Sequence, residues 1–162
     1  MDRSSQIAQI NIGRMVAALN DPRLAGFVSQ LDAINALADR SPGFVWRLQT
    51  EGGNATSLVV NANDPLLIIN MSVWENLETL HDYVYRSAHL QLVRDRKQWF
   101  QKMAGPYYAL WWVPRGHIPT VEEGMQRLAH LEAHGATEHA FWFGSPFTTA
   151  ALPRSNPSLQ ND

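Results

Sequence analysis

Two segments of this chain are apolar on both of their alternating faces, and this constrains the fold more than any other feature. In Leu66 to Trp74, the residues Leu67, Ile69, Met71 and Val73 fall on one side of an extended strand, while Leu66, Ile68 and Trp74 fall on the other. In Tyr107 to Val113, the residues Tyr108, Leu110 and Trp112 oppose Tyr107, Ala109, Trp111 and Val113. An antiparallel sheet with one wet face alternates apolar and polar residues, so both faces of these strands require cover. In a chain of 162 residues helices are expected to cover one face. The other is then expected to meet a second copy in a closed homodimer. The alternative is that the long helices wrap both faces.

The remaining segments fit around such a sheet. Gln6 to Ile12 alternates polar and apolar residues as a first strand. Asp21-Pro22 is a helix-start signal, and Phe27, Leu31, Ile34 and Leu37 recur at helical spacing as far as about Arg40, where Ser41-Pro42-Gly43 ends the helix. Phe44 to Gln49 reads as a second strand, followed by a polar loop or hairpin from Glu51 to Asn63. The longest helical stretch runs from Leu77 to about Lys102, with a break near Ser87 or Ala88 where the apolar stripe shifts. Thr120 and Glu123 form a T-x-x-E capping box for a helix to His134, and Gly135 suits a left-handed exit. His139 to Phe143 closes the sheet as a last strand. The order gives one α+β domain over residues 1–143. It is ferredoxin-like, with a mostly antiparallel sheet and helices on one face. Residues 144–162, with three prolines, form a flexible or draped tail.

Composition excludes several function classes. The net charge of −2 supplies no basic field for nucleic acid or an anionic membrane. The chain has no cysteine, so thiol nucleophiles, disulfides and thiolate metal sites are absent. No apolar run approaches the roughly 20 residues of a membrane span, and no secretory signal is visible, so a cytoplasmic protein is expected. There is no G-x-G-x-x-G, no P-loop and no G-x-S-x-G elbow. His130 and His134 have chelating i, i+4 spacing, but no acid or third histidine evidently joins them, so no metal site is expected. His139 is read as a strand-start residue at the sheet's rim.

The residues suited to chemistry concentrate on the long helix. His81, Tyr85 and His89 are four apart and stack along one side, and Arg96 lies about two turns further among Leu92, Val93, Trp99 and Phe100. Trp74 ends the preceding strand and points toward the same region. Polar groups on an apolar face must find partners, because each buried unpaired group costs roughly 1–3 kcal/mol. They pair with one another, with water or with a ligand. A histidine moves protons near neutral pH, a tyrosine donates to a developing oxyanion, and an arginine holds a carboxylate or enolate. His117, in His-Ile-Pro-Thr, orders the start of the following helix or closes over a pocket. The six tryptophans make either a very aromatic core or the walls of a pocket.

The stretch Met71 to Phe143 resembles the domain of unknown function 3291 family of the dimeric α/β-barrel superfamily. The resemblance is carried by Ser72-Val73-Trp74-Glu75, Tyr85-Arg86-Ser87-Ala88-His89, Arg96 with Trp99-Phe100, Trp111-Trp112-Val113-Pro114, His117-Ile118-Pro119-Thr120 and Ala140-Phe141-Trp142-Phe143. It implies the ferredoxin-like fold and a dimeric α/β barrel. The superfamily includes antibiotic biosynthesis monooxygenases, which work without metal or flavin, and heme-binding members that use a helix histidine on the iron; here His81 or His89 would be that ligand.

Three functions are expected on this basis. The first is a cofactor-independent enzyme of secondary metabolism, monooxygenase-like or a cyclase or isomerase, acting on a small apolar enolisable or aromatic substrate between helix and sheet. In it His89 is the general base, Tyr85 and Arg96 stabilise an enolate, and Trp74, His81, Trp99, Trp112 and His117 line the substrate site. The second is a heme-binding protein. The third is a small-molecule-binding dimer without turnover.

Overall fold

The central strand β1 (Ser5–Arg14) carries Ile7, Ala8 and Ile10, all fully buried, and pairs antiparallel with a neighbour on each side. The computed structural model describes residues 3–49, 59–61, 63–87 and 89–148. After β1, Asp21 accepts the Arg23 N–H at 2.9 Å and caps a 3-10 turn, Pro22–Leu24, that runs directly into α1 (Ala25–Asp39). The Asp-Pro signal thus starts a tighter turn first, with Pro22 where its missing N–H costs nothing. β2 (Phe44–Arg47) and β3 (Val59–Asn61) both pair with the same edge of β4 (Asp64–Trp74), β2 beside Ser72–Trp74 and β3 beside Ile68 and Ile69. β5 is Tyr108–Pro114. The sheet order β2-β4-β1-β5 is antiparallel between every pair. With its helical crossovers this is the α+β, ferredoxin-like arrangement expected from the sequence.

The long helical stretch is two helices, α2 (Leu77–Arg86) and α3 (His89–Trp99). Asn76 caps α2 by accepting the Thr79 N–H at 2.9 Å. The break comes at Ser87, whose backbone is extended. Its hydroxyl donates to the Tyr83 carbonyl and accepts the His89 N–H, the latter at 3.1 Å, so one side chain finishes α2 and begins α3.

α4 (Val121–His134) changes the picture of the sheet's two faces. Helices α1 to α3 lie over the face bearing Ile7, Gln9, Asn11, Asn70, Ser72 and Trp74. α4 packs Leu128 and Leu131 against the opposite face, among Ile10, Met71, Val73 and Trp111. Gly124 makes the approach close: a Cβ there would lie 2.8 Å from Ile10 Cδ1 and 3.1 Å from Met71 Cε. The expectation of helices on one face therefore holds for α1 to α3 and not for α4. The reason given for a second copy is lost as well, because Ala8, Ile10, Met71, Val73, Ala109 and Trp111 are all fully buried within one chain.

Two terminal details also differ from the sequence reading. Thr120 Oγ1 accepts the Glu123 N–H at 3.1 Å, but the Glu123 carboxylate turns away to His117 Nε2 at 2.9 Å and the Trp111 indole N–H at 3.3 Å. Only half of the capping box is made. Gly135 has the expected positive φ of 71° but a ψ of −169°, so the exit is extended rather than left-handed helical. The predicted last strand reduces to a bridge in which Phe141 and Leu110 exchange backbone hydrogen bonds of 2.9 Å. Of the tail, Phe147 packs back on the core and its carbonyl accepts the Trp112 indole N–H at 2.7 Å. Residues 149–162 of the tail, and 51–58 and 62 of the predicted loop or hairpin, lie outside the described residues. Among the described residues no helix is long and apolar enough to cross a membrane.

Candidate functional site

Between the sheet and helices α1 to α3 lies a chamber of about 180 Å³. Its floor is sheet. Residues of one parity on β1 and β4 meet across the register pairs Gln9–Ser72 and Asn11–Asn70, so four polar side chains stand together on an otherwise apolar surface. Gln9 Nε2 donates to Asn70 Oδ1 and to Ser72 Oγ, both at 2.8 Å. Asn11 Nδ2 donates to Gln9 Oε1 and Asn70 Oδ1, both at 3.2 Å. Trp74 Nε1 donates to Ser72 Oγ at 2.9 Å. Asn70 Oδ1 and Ser72 Oγ each accept twice, which leaves the Asn70 amide N–H groups and the Ser72 hydroxyl proton without a protein acceptor among the described residues, at the chamber wall.

The roof is α2 and α3. His89, the first residue of α3, lines the chamber, and its Nδ1 lies 3.4 Å from the Val84 carbonyl. A carbonyl only accepts, so this contact puts the proton on Nδ1, and the Nε2 lone pair has no donor among the described residues. Burial pushes the His89 pKa below the ordinary histidine range, against the smaller upward pull of the Val84 carbonyl. His89 is therefore a neutral base at neutral pH. Its ring lies 4.8 Å from that of Tyr83, which stacks on Trp74 and donates from its hydroxyl to the Ile34 carbonyl at 3.3 Å. Burial raises the Tyr83 pKa strongly.

Arg96 enters from the next two turns of α3. It donates from Nη2 to the Ile12 carbonyl at 3.1 Å, and its guanidinium carbon lies 4.2 Å from the Tyr107 ring centre and 5.1 Å from that of Phe100. Burial lowers its pKa, though an arginine remains charged. Trp99 and Phe27 close one end with ring centres 5.7 Å apart. Tyr108 and Phe143 close another; burial pushes the Tyr108 pKa up to about 12, and its hydroxyl accepts the Phe143 N–H at 3.3 Å.

The structure brings His89, Arg96, Trp74 and Trp99 together around one space, with Tyr85 at its edge, 37% exposed. Three predicted lining residues are elsewhere. His81 packs on Tyr85 and Phe143 at 4.8 and 5.5 Å outside the chamber, because the break at Ser87 takes His81 and His89 out of a common helical stripe. Trp112 shares the chamber's sheet face, but the Phe141–Phe147 segment folds over it. His117 pairs with Glu123 at the start of α4, across the sheet. In place of these the chamber uses Gln9, Asn11, Asn70, Ser72 and Tyr83. The available signal was Asn70 and Ser72, which interrupt an apolar strand at the parity of Trp74.

The space is close in volume to the roughly 150 Å³ cavity that takes up benzene, and of the two residues proposed as iron ligands only His89 lines it. Among the described residues no group of three or more histidine or acidic side chains is placed to hold a metal ion. The rings of His130 and His134 are 4.5 Å apart and that of His139 is 5.1 Å from His130, a cluster on the far side of the molecule.

The fold and chamber define a ferredoxin-like α+β protein with a small-molecule-sized cavity between sheet and helices. The sequence model of the domain of unknown function DUF3291 matches residues 6–156, and the chain belongs to that family. No curated protein matches it. Similar solved structures include SnoaB, a cofactor-independent oxygenase from Streptomyces nogalater (16% identity, 72% of this chain and 100% of that one, TM-score 0.49). A protein from Pseudomonas aeruginosa (14% identity, 72% and 100%, TM-score 0.49) and one of unknown function from Nitrosomonas europaea (8% identity, 73% and 96%, TM-score 0.47) are also similar.

Proposed function

We propose that the chamber binds a small, flat, enolisable carbonyl compound and that the protein acts on it as an enzyme by proton transfer. His89 Nε2 takes the proton from carbon next to the carbonyl, the C–H electron pair moves into the enolate, and the Asn70 amide and Ser72 hydroxyl donate to the enolate oxygen. Trp74 and Trp99 provide the flat walls. Isomerisation, cyclisation and oxygenation of such compounds share this first step. One observation carries the reading: a histidine kept neutral by burial lines the same chamber as a polar floor whose spare hydrogen-bond donors have no protein acceptor among the described residues. The chamber is built from one chain, so the reading does not depend on a second copy.

The test is hydrogen–deuterium exchange of 2-tetralone in D₂O, followed by NMR. Wild-type protein is expected to accelerate exchange at the activated carbon, by about 10²-fold or more for a working general base, and His89→Gln to return it to the buffer rate. Binding of tetralone without faster exchange would reject the enzyme in favour of the non-catalytic binding protein.

A further inference from the structure

The chamber contains a cation without a counter-ion. Its lining holds two arginines and no aspartate or glutamate among the described residues. Arg47 is neutralised by Asp39, at 2.7 and 3.3 Å. Among the described residues no carboxylate lies within ion-pair distance of Arg96. Of its five N–H donors, only one has a protein acceptor among the described residues, the Ile12 carbonyl. With His89 neutral, the chamber carries about one net positive charge in a protein whose own net charge is −2. Holding a half-buried guanidinium away from every described carboxylate is unfavourable unless something else answers the charge. The rings of Tyr107 and Phe100 hold the cation by its π contacts, which leaves its N–H edge for a planar acceptor.

We infer that the natural ligand of the chamber is an anion, a small aromatic or alicyclic carboxylate whose carboxyl group docks on the N–H edge of Arg96. This rests on the reading of the chamber as the ligand site and deepens it: the enolisable carbonyl faces His89 and the sheet floor, and the carboxylate faces Arg96. Arginine suits that role because its planar fork matches both carboxylate oxygens at once.

The experiment is calorimetric titration with 3-phenylpropionate and with its neutral isostere 3-phenylpropanamide. Neither is a substrate for proton removal at a ketone, so catalysis does not enter. Wild-type protein is expected to bind the acid at least about tenfold more tightly than the amide. Arg96→Gln should erase the preference, and Arg96→Lys should retain part of it, with circular dichroism confirming that both variants fold. Equal affinity for acid and amide, binding of neither at millimolar concentration, or an acid preference that survives Arg96→Gln would overturn the inference. Failure of the tetralone assay with the acid preference intact would remove the base and leave the anion site standing.

Discussion

Tyr83 stacks on Trp74 with ring centres 4.9 Å apart and planes 25° from parallel. Its ring centre also lies 4.8 Å from that of His89, so Tyr83 links Trp74 of the sheet to the first residue of α3. Trp74 is held by its bond to Ser72 Oγ and Tyr83 by its bond to the Ile34 carbonyl. The ring that His89 contacts is therefore itself fixed by a hydrogen bond and a stacked neighbour.

Ser72→Ala removes the acceptor of the Trp74 indole N–H and one acceptor of Gln9. Trp74 is fully buried, so its donor is left unpaired. The expected loss is about 1–3 kcal/mol, read by urea denaturation, with a red-shifted Trp74 emission if water enters the space.

His89 gives a pH dependence whose sign is fixed. Its folded pKa lies below that of the unfolded chain, about 6.5, so the unfolded state binds more protons as pH falls through this value. Wild-type stability should therefore decline from pH 7.5 to pH 5, and the decline should be smaller in His89→Gln. Thermal denaturation at the two pH values checks this. An NMR titration should find the His89 ring titrating below the ordinary histidine range.

Leu131 of α4 is 1% exposed on the sheet face opposite the chamber. Leu131→Ala should cost about 2–5 kcal/mol while leaving ligand affinity unchanged, since α4 contributes nothing to the chamber lining. Denaturation and calorimetry on the same variant separate the two effects.

His117→Ala should do little to either property. The His117–Glu123 pair is partly exposed, at 42% and 24% of the side chains, and pairs of that kind contribute under about 1 kcal/mol. Unchanged binding in this variant, against lost binding in Trp74→Ala, would place the ligand on the α1 to α3 side of the sheet.

The helices, the strands and the break at Ser87 were legible because each leaves a local periodic or capping signal. Which face a helix covers leaves no such signal, and that is why α4 overturned the argument from apolar strands: Leu128 and Leu131 cover a face that seemed to need a partner. Gln9 and Asn11 carried no site signal of their own. Their alternation with Ala8, Ile10 and Ile12 marks a strand, and only the pairing with Ser72 and Asn70 puts them at the chamber. His89, Arg96 and Trp74, picked out by helical spacing, strand position and residue type, all line the chamber. Tyr83 was missed because it lies two residues from His81 on α2, off the stripe that His81 and Tyr85 define.

α3 also sets a length. His89 and Arg96 are seven residues apart on one unbroken helix, so they share a stripe, with roughly 10 Å between their Cα positions at 1.5 Å rise per residue. Loop changes elsewhere cannot alter that interval. A related chain that kept both residues but spaced them by four would carry a shorter ruler, and its preferred molecule should be shorter by about one helical turn.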